Sequence, residues 1–246
     1  MLDLIDHAHA RELRLSRPPV NALNPAIVAA LDTAIKQAAV DRLRFLVLSG
    51  RPGLYSGGLD VPALLKLDED GLSTFFQSFF GLLNTLASSP IPIVAAITGH
   101  SPAGGAVLSL FCDYRVMAEG DYRIGLNEVQ VGLFVPAPIQ AALRRLVGAH
   151  RAERMMVAGA MLNASEAHAI GLVDELAPVE AVVERALAWC GKHAALPPQA
   201  MARTRHMARA DLVASTRASM DSGAMSAGWW GEETQSVLRR LFPPKA

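Results

Sequence analysis

Twice along this chain a short apolar run of strand character ends in a glycine-rich turn. Phe45-Leu46-Val47-Leu48 runs into Ser49-Gly50-Arg51-Pro52-Gly53 and then Gly57-Gly58, and Ile91-Pro92-Ile93-Val94-Ala95-Ala96-Ile97 runs into the stretch 99–105 with its glycines at 99, 104 and 105. Aliphatic and β-branched runs of this length read as buried strands, and the second turn leads into an apolar helix ending near Cys112. A further strand is expected over 114–118 and an alternating one over Glu12-Leu13-Arg14-Leu15, which Arg17-Pro18-Pro19 breaks. Asn24-Pro25 opens a helix reaching about Lys36, with Asn as the cap and Pro in the first turn. Strands separated by helices predict parallel packing and an α/β class. After Pro136 the pattern turns helical over 139–147, 152–158, 164–170, 180–193 and a long final stretch, 200–241. We therefore expect a core over residues 1–190 carrying the site and a helical region over 191–246.

With 246 residues, 51% hydrophobic and 19% charged, the chain can bury a sizeable core. Lys+Arg 23 balances Asp+Glu 23, and lysine occurs only at 36, 66, 192 and 245. No basic stripe is left for nucleic acid, and no apolar run reaches the length of a membrane span. Cys112 and Cys190 stand apart without metal-ligand spacing, and an acidic N-terminal stretch replaces the basic start of a signal peptide, so a reducing, cytoplasmic setting is expected. His7 and His9 alternate as strand residues facing one side would, but no third ligand accompanies them, so no metal is expected.

The two turns carry the chemistry. Glycine removes the Cβ that would block a ligand, and a turn before a helix exposes backbone N–H groups suited to an anion or a developing oxyanion. Gly99-His100-Ser101-Pro102-Ala103 also approaches the G-x-S-x-G elbow of serine hydrolases, with Asp174 and His193 or His206 in the required chain order. Pro102 opposes that reading. The residue after the nucleophile donates to the oxyanion in such enzymes, and proline has no N–H.

Pro18-Pro19-Val20-Asn21-Ala22-Leu23, Ser56-Gly57-Gly58-Leu59-Asp60, the turn from Ser101 to Gly105, Cys112-Asp113-Tyr114-Arg115 and Ile124-Gly125-Leu126-Asn127-Glu128 with Gly132 follow one another in order. Together they resemble the crotonase, or enoyl-CoA hydratase/isomerase, superfamily over nearly the whole chain. That resemblance implies a spiral of ββα units with a helical C-terminal trimerisation region, and an acyl-CoA thioester as substrate. It implies an oxyanion hole from the backbone N–H groups of Leu59 and Gly104, and substrate contacts at Ala22, Ser56, Gly57, Gly58, Asp60 and Asn127. Asp60 also reads as the cap of the following helix.

Of the two carboxylates that the family's hydratases use, one falls on Val107, where an isopropyl group stands, and the other on Glu128. Water addition calls for a pair of carboxylates, whereas one base suffices to move a proton within a substrate. The chain is accordingly most similar to the mitochondrial-type Δ3,Δ2-enoyl-CoA isomerase branch, implying conversion of 3-enoyl-CoA to 2-enoyl-CoA in fatty-acid β-oxidation without a further cofactor. A hydratase, a thioester hydrolase or a non-catalytic crotonase-like binding protein are the alternatives. Phe75, Phe76, Phe79 and Phe80 are expected to divide between core and acyl tunnel, with Trp229-Trp230 closing the tunnel or packing a subunit contact. Arg17, Arg51 and Lys66 are candidates for the CoA phosphates, and the apolar helical tail predicts a homotrimer or hexamer.

Overall fold

The computed structural model of the chain describes residues 1–218 and 223–243. In chain order its elements are β1 (Leu2–Asp6), β2 (Ala10–Leu15), α1 (Pro25–Val40), β3 (Phe45–Ser49), β4 (Gly53–Leu54), α2 (Val61–Leu64), α3 (Glu69–Ser88), β5 (Ile93–Ile97), β6 (Gly99–Pro102) and α4 (Gly104–Leu110). Then come β7 (Tyr114–Ala118), β8 (Arg123–Gly125), a 3-10 turn (Glu128–Val131), α5 (Ala137–Val147), α6 (Ala149–Ala158), β9 (Met161–Asn163), α7 (Ala164–Ala169) and β10 (Glu175–Ala177). Helices α8 (Val182–His193), α9 (Pro198–Ala208), α10 (Ala210–Ala218), α11 (Gly223–Trp230) and α12 (Glu232–Leu241) complete it.

A six-stranded sheet runs β1-β2-β3-β5-β7-β10, parallel except for the β1–β2 hairpin, and a four-stranded sheet runs β4-β6-β8-β9. Each of the pairs β3/β4, β5/β6 and β7/β8 sends its first strand to the large sheet and its second to the small one. That is the turn of a ββα spiral, the architecture the family resemblance implied. Because side chains alternate across a strand, Phe45, Val47, Val94, Ala96 and Val116 meet Val182, Ala186 and Cys190 of α8. Their neighbours Leu46, Leu48, Ile93, Ala95 and Met117 join the larger core with α1 and α3. Burial on both faces is why β5 is apolar throughout and β3 is apolar up to Ser49, whose buried hydroxyl donates to Glu12. Each such Leu, Val or Phe contributes roughly 1.5–3 kcal/mol when fully buried.

The α1 cap forms as expected, with Asn24 Oδ1 accepting from the Ile27 amide at 3.0 Å and Pro25 in the first turn. Three features differ from the sequence reading. Residues 99–102 are a strand rather than a turn, in parallel register with β4; a Cβ on Gly99 would lie 2.0 Å from the Gly53 carbonyl carbon, so the glycine serves strand approach. Residues 2–6 form an edge strand whose mixed polarity hides it from pattern reading. The tail forms shorter helices instead of one continuous stretch, and positions 219–222 of it lie outside the described residues.

A buried arginine docks α9 onto the core. Arg205 pairs with both carboxylate oxygens of Asp113 at 2.9 and 3.0 Å and donates to the carbonyls of Leu86, Ala87 and Ser89 at the end of α3. Those carbonyls have no partner within their own helix, so a fixed cation satisfies several acceptors at once. No described helix is long and apolar enough to cross a membrane.

Candidate active site

The turn after β4 is held on every side but one. The Gly57 amide donates to Val20 O at 2.7 Å, the Gly58 amide to Ser56 Oγ at 3.2 Å, and the Asp60 amide to Leu23 O at 3.0 Å. Ser56 Oγ in turn donates to Asn21 O at 2.9 Å. Between these bonded neighbours the Leu59 amide has no acceptor among the described residues. Gly58 sits at φ +87°, a conformation that side chains rarely adopt, and this is what turns the next amide outward.

The second turn approaches the first. Ala103 is held at φ +43°, its amide donating to Gly125 O at 2.9 Å, and among the described residues the following Gly104 amide has no acceptor. A Cβ on Gly104 would lie 3.2 Å from Leu59 N, and one on Gly58 would lie 3.3 Å from Gly104 N. Two unengaged amides from separate ββα units thus stand at one place. Strained backbone at a non-glycine residue commonly marks such a site.

Leu59 and Gly104 line a cavity of about 190 Å3 together with Gly57, Val107, Asn127 and Glu128. The rest of its wall is apolar: Phe76, Phe79 and Phe80 from α3, Val131, Leu133 and Ile139, and Met225, Trp229 and Phe242 from the C-terminal helices. Glu128 opens the 3-10 turn with only 9% of its surface exposed, and its Oε2 has no partner among the described residues. Removal from water disfavours the carboxylate and pushes its pKa up to about 7, opposed only by a hydrogen bond with its own backbone. Asn127 Oδ1 is likewise buried without a partner. Among the described residues no other carboxylate lines the cavity, and Val107, on the first turns of α4, forms part of its wall.

The remaining candidates sort by position. Ser56 supports the turn from behind. Asp60 caps α2 by accepting from the Ala63 amide at 3.1 Å and pairs with Arg17 Nη2 at 2.6 Å, so both charges are spent within the loop. Ala22 accepts from Arg17 Nη1 at 3.3 Å, and neither it, Ser56 nor Asp60 lines the cavity. Arg51 donates to Pro19 O at 3.2 Å, while Lys66 is exposed. Phe75 packs in the core, stacked on Phe79, and is absent from the wall that its three neighbours build. Trp229 is fully buried in that wall, and Trp230 is 37% exposed.

The serine-hydrolase arrangement does not assemble. Ser101 is buried in β6 and off the cavity, Asp174 is taken by the Arg115 amide and guanidinium, and His193 is bonded to Trp189 O. His7 bonds Glu12 rather than pairing with the exposed His9, and no group of three His, Cys, Asp or Glu side chains among the described residues is placed to hold a metal. Sequence reasoning missed Met225 and Phe242 as wall residues. Nothing local distinguishes them, because their role arises from helices that return to a site built about 100 residues earlier.

Two unengaged backbone amides and one buried carboxyl thus line a single cavity of a ββα spiral. The chain belongs to the enoyl-CoA hydratase/isomerase family, whose pattern it matches over residues 8–226. It is 32% identical over 200 residues to human mitochondrial enoyl-CoA delta isomerase 1, an alignment spanning 80% of this chain and 66% of that protein, slightly under two thirds of its length. It is also 32% identical over 255 residues to a Thermus thermophilus protein bearing an enoyl-CoA hydratase name, covering 98% of each. The crystal structure of human mitochondrial Δ3-Δ2-enoyl-CoA isomerase superimposes with a TM-score of 0.93 at 28% identity, covering 98% of this chain and 96% of that one.

Proposed function

We propose that this protein is a Δ3,Δ2-enoyl-CoA isomerase, moving the double bond of a 3-enoyl-CoA into conjugation with its thioester carbonyl. Glu128 removes a proton from C2, the electron pair shifts toward the carbonyl, and negative charge gathers on the thioester oxygen. The Leu59 and Gly104 amides receive that oxygen, each such donor typically contributing about 3 kcal/mol to the transition state. The proton that Glu128 now carries returns to C4 as the C2–C3 double bond forms. No water and no second acid enter the balance.

The observation that carries this reading is that, among the described residues, Glu128 is the single carboxyl in a largely apolar cavity, with Val107 where the family's hydratases are expected to carry a partner acid. A base that must also act as an acid works best with a pKa near the working pH, which burial supplies here. Asn127 is assigned to substrate positioning, and CoA is part of the substrate rather than a separate cofactor. The exposed apolar side chains Val129, Phe134 and Val157, together with the family resemblance, support assembly into trimers or pairs of trimers.

The test is incubation of purified protein with 3-enoyl-CoA and separately with 2-enoyl-CoA, following conjugation by absorbance and hydration or free CoA by chromatography. Conjugation that is lost in Glu128→Gln is the expected result. Rapid water addition without a double-bond shift would instead favour the hydratase reading suggested by the Thermus relative's name.

A further inference from the structure

Among the described residues the Glu128 carboxyl is held by no other side chain, and its hydrogen bond is to its own backbone. Its position is therefore set by the 3-10 turn that carries it. Within that turn Gln130 N donates to Asn127 O at 3.0 Å, and the chain leaving it is tied back by Leu133 N to Glu128 O at 3.0 Å. Four residues with so few bonds do not make a rigid platform, since 3-10 geometry is poor and short segments are easily deformed. Rigidity has to come from outside the turn.

Gln130 Nε2 supplies one outside tie, donating to Gly159 O at 2.9 Å just past α6, and a second comes from α12. Thr234, only 3% exposed, donates its hydroxyl to Gly132 O at 2.6 Å. Gly132 ends the turn at φ +76°, and a Cβ there would lie 2.9 Å from the Thr234 Cα, so the helix backbone itself is seated against the turn. Glycine at 132 thus answers two demands, left-handed backbone and close helix approach. Helix α12 lies beyond residue 226, where the match to the family ends.

We infer that Thr234 is a positioning residue for the base: by clamping Gly132 it fixes the turn that places the Glu128 carboxyl, and makes seating of α12 a condition for proton transfer. This rests on the assignment of Glu128 as the base. Among the described residues Glu128 is the only titratable side chain lining the cavity, so a change in its titration reports a change in its own surroundings.

The experiment compares Thr234→Val, which keeps the shape and removes the hydroxyl, with Thr234→Ser, which restores it. Misplacement of a reacting group by about 1 Å costs up to about a hundredfold in rate. Thr234→Val is accordingly expected to lower kcat tenfold or more with KM within about twofold, and Thr234→Ser to recover most of it. In parallel, the Glu128 carboxyl is titrated by carbon NMR in protein labelled at the glutamate carboxyl, assigned with Glu128→Gln. A loosened turn admits water, so the Val variant should titrate at lower pH than the parent, and the Ser variant close to it. Unchanged titration and kcat in Thr234→Val would overturn the inference, as would a loss of kcat that serine does not repair. The NMR arm needs no turnover, so a titration shift in a protein lacking isomerase activity would sink the functional assignment while leaving the clamp standing.

Discussion

Glu128→Gln should make the protein more stable above neutral pH while abolishing its activity. The carboxyl has an ordinary pKa of 4.5 when exposed and about 7 in the folded chain. Below pH 4.5 the group is protonated in both states and contributes no difference. Between the two values the folded state holds a proton that the unfolded state has released, so rising pH pulls the equilibrium toward unfolding. Above pH 7 the gap is complete, and at about 1.36 kcal/mol for each pKa unit the penalty comes to about 3 kcal/mol. Glutamine fills the same space without ionising. Thermal unfolding of parent and variant at matched concentration should show a difference of roughly 6–12 °C in favour of the variant at pH 8, given about 2–4 °C per kcal/mol for a chain of this size. At pH 5 most of that difference should vanish, because little of the penalty has developed. Equal separation of the two proteins at both pH values, or a parent more stable than the variant at pH 8, would show that the carboxyl is not desolvated as the cavity demands.

The same burial fixes the pH dependence of turnover: isomerase kcat/KM should fall about tenfold per pH unit below about 7 as Glu128 takes up its proton, a limb read from initial rates between pH 5 and 8. Gly104→Ala places a methyl group 3.2 Å from the Leu59 amide nitrogen, and equally close to the Gly58 Cα and Leu23 Cδ1, and should cut kcat by about 10²-fold or more, measured by steady-state kinetics. Val107→Glu puts a second carboxyl into the cavity, and like-charge repulsion should move the acid limb of the rate profile to higher pH. Arg205→Met leaves Asp113 with Arg209 and the Ile93 amide but strips the donor from the carbonyls of Leu86, Ala87 and Ser89, and should cost about 3–5 kcal/mol in denaturant unfolding. Light scattering should return three or six times the mass of one chain, and a mass near 26.2 kDa at micromolar concentration would refute the assembly.

What the sequence determined by itself was whatever short-range chemistry dictates. Phe45–Leu48 and Ile93–Ile97 are strand because their residues have no polar face to offer water, and Asn24 and Asp60 are caps because their oxygens reach the amide three residues on. Glycine at 58 and 104 marked the turns whose amides are left unengaged, and Glu128 was legible through the motif around it. Tertiary structure decided the rest. Pro102 and Gly99 read as turn residues until β6 finds β4 and β8. The same glutamate would be an ordinary surface acid without the walls supplied by α3 and by Met225, Trp229 and Phe242. Arg17 could have faced a phosphate, yet it meets Asp60 once the loop closes. Thr234 has no local signature at all, and gains its role only where α12 comes to rest on Gly132. A residue's neighbours along the chain set its backbone preferences, but the dielectric around a carboxyl and the partner of a hydroxyl depend on segments that meet only after folding.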